Sequence, residues 1–155
     1  MKYVKMMDAK VGIISLIEED NKIIEIRINK KVEDDIIKKD TPVLKETEKQ
    51  LGEYFEGKRK TFDVPLNPKG TNFMKKVWTA LQNIPYGEVR TYQQIAEEVE
   101  SPKAARAVGM ANHRNPIPII IPCHRVIGSN GKLVGYALGM DMKKFLLDWE
   151  KKNNV

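Results

Sequence analysis

The chain has a single cysteine, Cys123, within Pro122-Cys123-His124-Arg125-Val126 and directly after the apolar run Ile119-Ile120-Ile121. A thiol followed at once by an imidazole and a guanidinium has polar, positively charged neighbours. Such neighbours favour the thiolate, the form that attacks electrophiles. The alternative is a small core residue at a strand end, an ordinary place for a lone cysteine. One cysteine makes no internal disulfide and no cysteine-rich zinc site, and the two histidines, His113 and His124, do not complete one. No metal and no cofactor are expected. Glu150 lies just past Trp149, close to the apolar face of a final helix, where a solvated carboxylate is the plainer reading.

These groups sit in a chain of 155 residues, 41% hydrophobic and 31% charged, the composition of a globular protein. No apolar stretch approaches the ~20 residues that cross a bilayer, so no membrane partner is expected. The N-terminus lacks a signal-peptide core, so the chain is expected in the cytoplasm. The formal charge of +6 is unevenly spread. Residues 1–66 carry 14 basic and 14 acidic side chains, while residues 67–155 carry 13 and 7. An excess confined to one half points to a polyanion such as nucleic acid, or to a lysine-rich solvated surface.

Positioning elements follow from the pattern. Two β-branched runs, 11–17 and 23–28, flank a polar turn and predict a hairpin. Pro42, Leu44, Leu51, Phe55 and Gly57 mark a helix from about 42 to 55, followed by a linker over 57–70. Phe73, Val77 and Leu81, with Met74 and Trp78, give an amphipathic helix over 72–83. Thr91 and Gln94 form a capping box for a helix to about Val99. Ser101-Pro102 signals another helix, to Arg114, so the two make a helix-turn-helix candidate. The second is dominated by Ala104, Ala105, Ala107 and Gly109, with Arg106 its one long side chain among alanines. Such a face can approach a duplex backbone closely, or pack on a neighbouring element. It lacks the side chains that read base edges, so contact by shape and backbone is the more natural mode. A last helix is expected from Asp141 as N-cap, docking through Met142, Phe145, Leu146 and Trp149.

Pro122-Cys123-His124-Arg125-Val126, preceded by Ala105-Arg106-Ala107-Val108-Gly109 and Asn115-Pro116, resembles the O6-alkylguanine-DNA alkyltransferase family of direct-reversal repair proteins. Tyr54 through Lys58, Pro85 through Val89, Tyr92 and Gly135-Tyr136 extend the likeness over roughly residues 50–150. The resemblance implies an α/β (α+β) protein: a small N-terminal domain (1–66) with a sheet and helix, and a mainly helical DNA-binding and alkyl-transfer domain (67–155) with the helix-turn-helix. It implies that Cys123 takes the alkyl group in a single irreversible turnover, acting as a monomer on double-stranded DNA containing O6-alkylguanine, with O4-alkylthymine as a further substrate to consider. His124 would accept the thiol proton through a water, Glu150 would orient His124, and Asn115 would hold the network. Tyr92 would meet the ring nitrogen, the Ala137 N–H the O6 atom, and the carbonyls of Cys123 and Val126 the exocyclic amine, with Tyr136 and Leu138 completing the pocket.

Some members have serine at the position of Ala137 and glycine at that of Leu138, which bears on the alkyl groups admitted. Arg106 would fill the space left by a flipped base, with Ser101, Lys103, Ala104, Ala105, Ala107 and Gly109 along the groove. The cysteine and histidine ligands that hold zinc in some relatives are missing. A catalytically silent damage-binding relative is the alternative, though such proteins typically replace the cysteine. A cysteine hydrolase would need an oxyanion site and an independent histidine. A plain helix-turn-helix regulator leaves Cys123, His124 and Glu150 unexplained.

Overall fold

The sheet begins at the second residue, earlier than its sequence suggests. The computed structural model describes residues 1–133, 136 and 138–154, and the chain divides into two compact units, Met1–Lys69 and Gly70–Val155. In the first unit β1 (Lys2–Ala9), β2 (Gly12–Glu19) and β3 (Lys22–Ile28) form an antiparallel meander. A two-residue β4 (Ile37–Lys38) pairs parallel to β1, giving the order β3-β2-β1-β4. The β2–β3 hairpin is the one read from the β-branched runs. Its reversal uses Asp20 and Asn21, both left-handed at φ 53° and 64°, the conformation that matches strand twist in tight hairpins. β1 is an addition to that reading. Its methionines and lysines carry little strand signal, and pairing with β2 from Lys2↔Glu19 to Ala9↔Gly12 makes it a strand.

Val4, Ile17, Ile24 and Ile36 form a core cluster on which Val32 packs. α1 (Pro42–Phe55) begins where Pro42 places it, the Thr41 hydroxyl accepting from the Leu44 N–H at 3.3 Å, and packs on the three long strands. The segment expected as a linker is partly fastened to the sheet. Ile23 N–H donates to the Pro65 carbonyl at 2.9 Å, and Asn67 N–H donates to the Ile23 carbonyl at 2.8 Å.

The second unit contains α2 (Asn72–Gln82), β5 (Arg90–Thr91), α3 (Tyr92–Glu98), α4 (Ala105–His113), a 3-10 turn (Cys123–Arg125), β6 (Val126–Ile127) and α5 (Met140–Asn153). The indole N–H of buried Trp78 on α2 donates to the Ala111 carbonyl of α4 at 2.8 Å. The capping box at Thr91 is formed in both directions, Gln94 N–H to the Thr91 hydroxyl at 3.0 Å and Thr91 N–H to the Gln94 side chain at 2.8 Å. Parallel pairing of Arg90 with Val126 and Thr91 with Ile127 brings the start of α3 beside the strand that follows the cysteine turn.

Three expectations are corrected here. Ser101-Pro102 opens a turn rather than a helix. The Ser101 carbonyl is taken by the Ala104 N–H at 2.9 Å, and Glu100 sits at φ 60°, so α4 starts only at Ala105 with no side-chain cap. The apolar run before Cys123 is not a strand. Asn115 ties it into a loop, its Oδ1 accepting from Ile117 N–H at 3.0 Å and its Nδ2 donating to the Ile121 carbonyl at 2.8 Å. Inside that loop Ile119 has φ 74°, a conformation that costs a β-branched residue on the order of 1–3 kcal/mol. Finally, Gly139, not Asp141, is the N-cap of α5. The buried stripe of that helix is Lys143, Leu146 and Glu150, whereas Phe145 is exposed and stacks on Trp149.

Among the described residues no helix is long and apolar enough to cross a membrane. Replacing Thr91 by alanine removes the hydroxyl that accepts from Gln94 N–H, leaves the backbone half of the capping box, and is expected to cost about 1 kcal/mol of stability, read as a lower urea midpoint with an unchanged slope.

Candidate active site

The centre of the second unit is a carboxylate with almost no access to water. Glu150 is 0% exposed, and three cationic or polar groups converge on it. His124 Nε2 lies 2.6 Å from its Oε2. Arg125 donates from Nε to Oε1 at 2.8 Å and from an Nη to Oε2 at 3.0 Å, a two-pronged pairing. The other Nη of Arg125 donates to the Ile84 carbonyl at 2.7 Å, just beyond α2, and the Gly87 N–H reaches Glu150 Oε1 at 3.4 Å. Burial alone would raise the Glu150 carboxyl. The hydrogen bonds of His124 and Arg125 and the charge of the guanidinium outweigh it and hold the group below the usual carboxylate range.

Neighbours in a strand point to opposite faces. His124 and Arg125 instead meet on one carboxylate, which the 3-10 turn allows. An ionised carboxylate only accepts hydrogen bonds, so the proton of the His124 ring lies on Nε2. That leaves Nδ1 with its lone pair, buried and without a hydrogen-bond partner among the described residues. Burial lowers the His124 pKa against the opposing pull of Glu150, so the ring is neutral.

Cys123 begins the same turn and is 3% exposed. Burial pushes its thiol up, while hydrogen bonds from Asn115 and Tyr136 and the charge of Lys143 act in the opposite direction. The resting group is therefore a thiol. The flanking His124 and Arg125, which by sequence suggested a thiolate, are turned towards Glu150.

Lys143 escaped the sequence reading. Its side chain is fully buried, its ammonium donates to the Val126 carbonyl at 2.5 Å, and it lies 6.0 and 5.9 Å from the ring centres of Tyr92 and Tyr136. Burial lowers its pKa to about 8, against the pull of Cys123. Asn112 was also missed. It is buried on α4 and donates to the Cys123 carbonyl at 3.2 Å. A signal for Lys143 was present: seven residues before Glu150 and three before Leu146, it shares their helix face.

Of the expected site residues, the fold brings Cys123, His124, Glu150 and Asn115 around one turn, with Val126 directly after it and buried Tyr136 beside the thiol. Tyr92 opens α3, half-buried, its pKa raised by burial and by Cys123. Leu138 is half-buried, and Ala137 lies outside the described residues. The expected DNA-contacting residues sit apart, on and before α4. Lys103, Arg106 and Ala107 are exposed, and Ser101, Ala104, Ala105 and Gly109 are half-buried. Met110, one turn beyond Arg106, is 51% exposed and interrupts the run of small residues.

The chain is similar to known proteins in both sequence and fold. Residues 2–68 match the family description 6-O-methylguanine DNA methyltransferase, ribonuclease-like domain, and residues 72–152 match 6-O-methylguanine DNA methyltransferase, DNA binding domain. The chain is 46% identical over 159 residues to the constitutive methylated-DNA--protein-cysteine methyltransferase of Bacillus subtilis, covering 97% of this chain and 96% of that one. It is 62% identical over 109 residues to the methylated-DNA--protein-cysteine methyltransferase of Methanosarcina mazei, covering 70% and 69%. Among solved structures it is similar to Mycobacterium tuberculosis OGT in complex with DNA, with a TM-score of 0.91, 41% identity, and coverage of 97% of this chain and 94% of that one.

Glu150→Gln tests the buried pairing. With the folded carboxyl depressed, Glu150 contributes stability that is present above its ordinary value of 4.5 and lost as pH falls through the folded value. The variant is expected to lose about 3–5 kcal/mol at pH 7. The gap to the parent protein should narrow in urea melts carried below that ordinary value.

Proposed function

The chain belongs to the 6-O-methylguanine DNA methyltransferase family, and on that premise we propose that Cys123 is the acceptor and O6-alkylguanine in duplex DNA the donor of the alkyl group. Direct-reversal repair by alkyl transfer to a protein cysteine is the activity of this family, and the chain carries it. The observation that supports the residue assignment is the His124 ring, fixed by Glu150 with a bare Nδ1 in the turn that holds Cys123.

Transfer starts with a thiol that burial keeps protonated. His124 Nδ1 accepts that proton through a water, and Glu150, already ionised, stabilises the resulting imidazolium without itself taking a proton. The sulfur attacks the alkyl carbon in line, the carbon–O6 bond breaks, and its electron pair stays on the guanine. Developing charge on the base is met by the Tyr92 hydroxyl at the ring nitrogen and by the Ala137 N–H at O6. The guanine anion takes up a proton from water, the imidazolium of His124 gives one back, and Cys123 is left as a thioether. Water does not hydrolyse that bond, so each molecule acts once.

The carbonyls of Cys123 and Val126 accept from the exocyclic amine. Asn115 holds the loop that leads into the turn, and Tyr136 and Leu138 line the alkyl side. The target must leave the stack at a cost of a few kcal/mol. Arg106, exposed on α4 and flanked by Ala105 and Ala107, fills the gap, while Ser101, Lys103, Ala104 and Gly109 lie along the backbone. The protein acts as a monomer, each copy carrying its own acceptor and finger.

Intact-protein mass after incubation with a duplex holding one O6-methylguanine is expected to rise by about one methylene, once per chain, and not at all in Cys123→Ala, which still binds the duplex. Arg106→Ala is expected to slow repair of the duplex far more than reaction with free O6-benzylguanine. Equal losses on the two substrates would remove the finger role.

A further inference from the structure

Asn112 is 2% exposed on the inner face of α4, a place where an asparagine costs helix stability and gains nothing from burial unless its amide is used. Its Nδ2 donates to the carbonyl of Cys123 at 3.2 Å, while its Oδ1 is buried with no hydrogen-bond partner among the described residues. The amide cannot turn over, because Oδ1 facing the Cys123 carbonyl would set two acceptors together. Tyr92 runs along the same side of α4: a Cβ built on Gly109, one turn before Asn112, would lie 3.8 Å from its Cε1 and 3.9 Å from its Cδ1. An amide nitrogen has two hydrogens. One goes to the Cys123 carbonyl, and the other is available to the Tyr92 oxygen, on which Asn112 acts as a hydrogen-bonding group.

We propose that Asn112 is a positioning residue for base recognition, its single NH2 group holding the Cys123 carbonyl and the Tyr92 hydroxyl in register for the guanine edge. The inference rests on the base-reading roles given above to Tyr92 and the Cys123 carbonyl. A Tyr92 oxygen that accepts from Asn112 is oriented so that its own O–H is the donor for the ring nitrogen. A Cys123 carbonyl held by one lone pair presents the other in a fixed direction to the exocyclic amine. Lys143 holds the Val126 carbonyl in the same way. Asn112 itself touches neither the alkyl group nor the thiol in this scheme. It acts through its two partners.

The test compares single-turnover transfer from duplexes carrying O6-methylguanine or O6-methylhypoxanthine, which lacks the exocyclic amine. The parent protein should prefer the guanine. Asn112→Leu, of similar size, should slow transfer from O6-methylguanine about tenfold, the cost of an unsupported buried hydrogen bond, and transfer from O6-methylhypoxanthine much less, so that the preference shrinks. In a Tyr92→Phe background the remaining effect of the substitution should fall further. An unchanged preference in Asn112→Leu, whether its rate is normal or uniformly low, overturns the proposal. A parent protein that does not distinguish the two duplexes overturns instead the base-reading roles on which the proposal stands. Asn112→Ser, which leaves less bulk and cannot span both partners, gives the same comparison should the leucine variant fail to fold.

Discussion

The second unit depends on one buried ion pair. Taking Glu150 and Arg125 out of water costs several kcal/mol per ion, and the pairing offsets this only if every oxygen and N–H finds a partner. Both oxygens of Glu150 are engaged, and Arg125 spends its remaining prong on the Ile84 carbonyl. The consequence is mechanical as well as electrostatic. Through this pair the last helix, the cysteine turn and the chain just beyond α2 are fixed to one another, and His124 receives its tautomer from the same carboxylate. The group that holds the turn together is thus also the group that sets the proton of the proposed base.

Much of this was legible in the sequence, and the failures share a cause. α1, α2 and α3 fell where apolar spacing, Pro42 and the Thr91–Gln94 box placed them, because those signals are local. β1 was not legible, since its residues become a strand only by pairing with β2. The run Ile119–Ile121 carries a strand's composition, yet the Asn115 side chain bends it into a loop. On α5 the apolar residues misled. Phe145 is exposed, while two charged residues, Lys143 and Glu150, occupy the buried stripe because each has a partner on the turn or strand beneath. Hydrophobic periodicity finds the inner face of a helix only when that face is apolar.

The site shows the same limit. Residue type and position brought Cys123, His124 and Glu150 forward, and the family resemblance added Asn115 and Tyr92. Lys143 and Asn112 stayed hidden because their contacts are to backbone carbonyls, which any sequence possesses. Adjacency misled as well: His124 and Arg125 flank the thiol in the chain but point their polar atoms at Glu150.

A protein that can react once gains from a nucleophile that is quiet until the right substrate arrives. Burial at 3% exposure keeps the Cys123 thiol protonated and out of reach of solvent electrophiles, and the thiolate is the reactive form. The opposing influences, Asn115, Tyr136 and Lys143, are already in place. On the proposed reading, activation of the thiol therefore needs no assembly of a new site. In that reading a base seated in the pocket tips the balance, by bringing the electrophilic carbon to the sulfur and by drawing the displaced charge onto the donors proposed to meet it. Selectivity and economy then have one origin, the cost of ionising a buried thiol, which the resting site leaves unmet and a correctly placed alkylated base makes good.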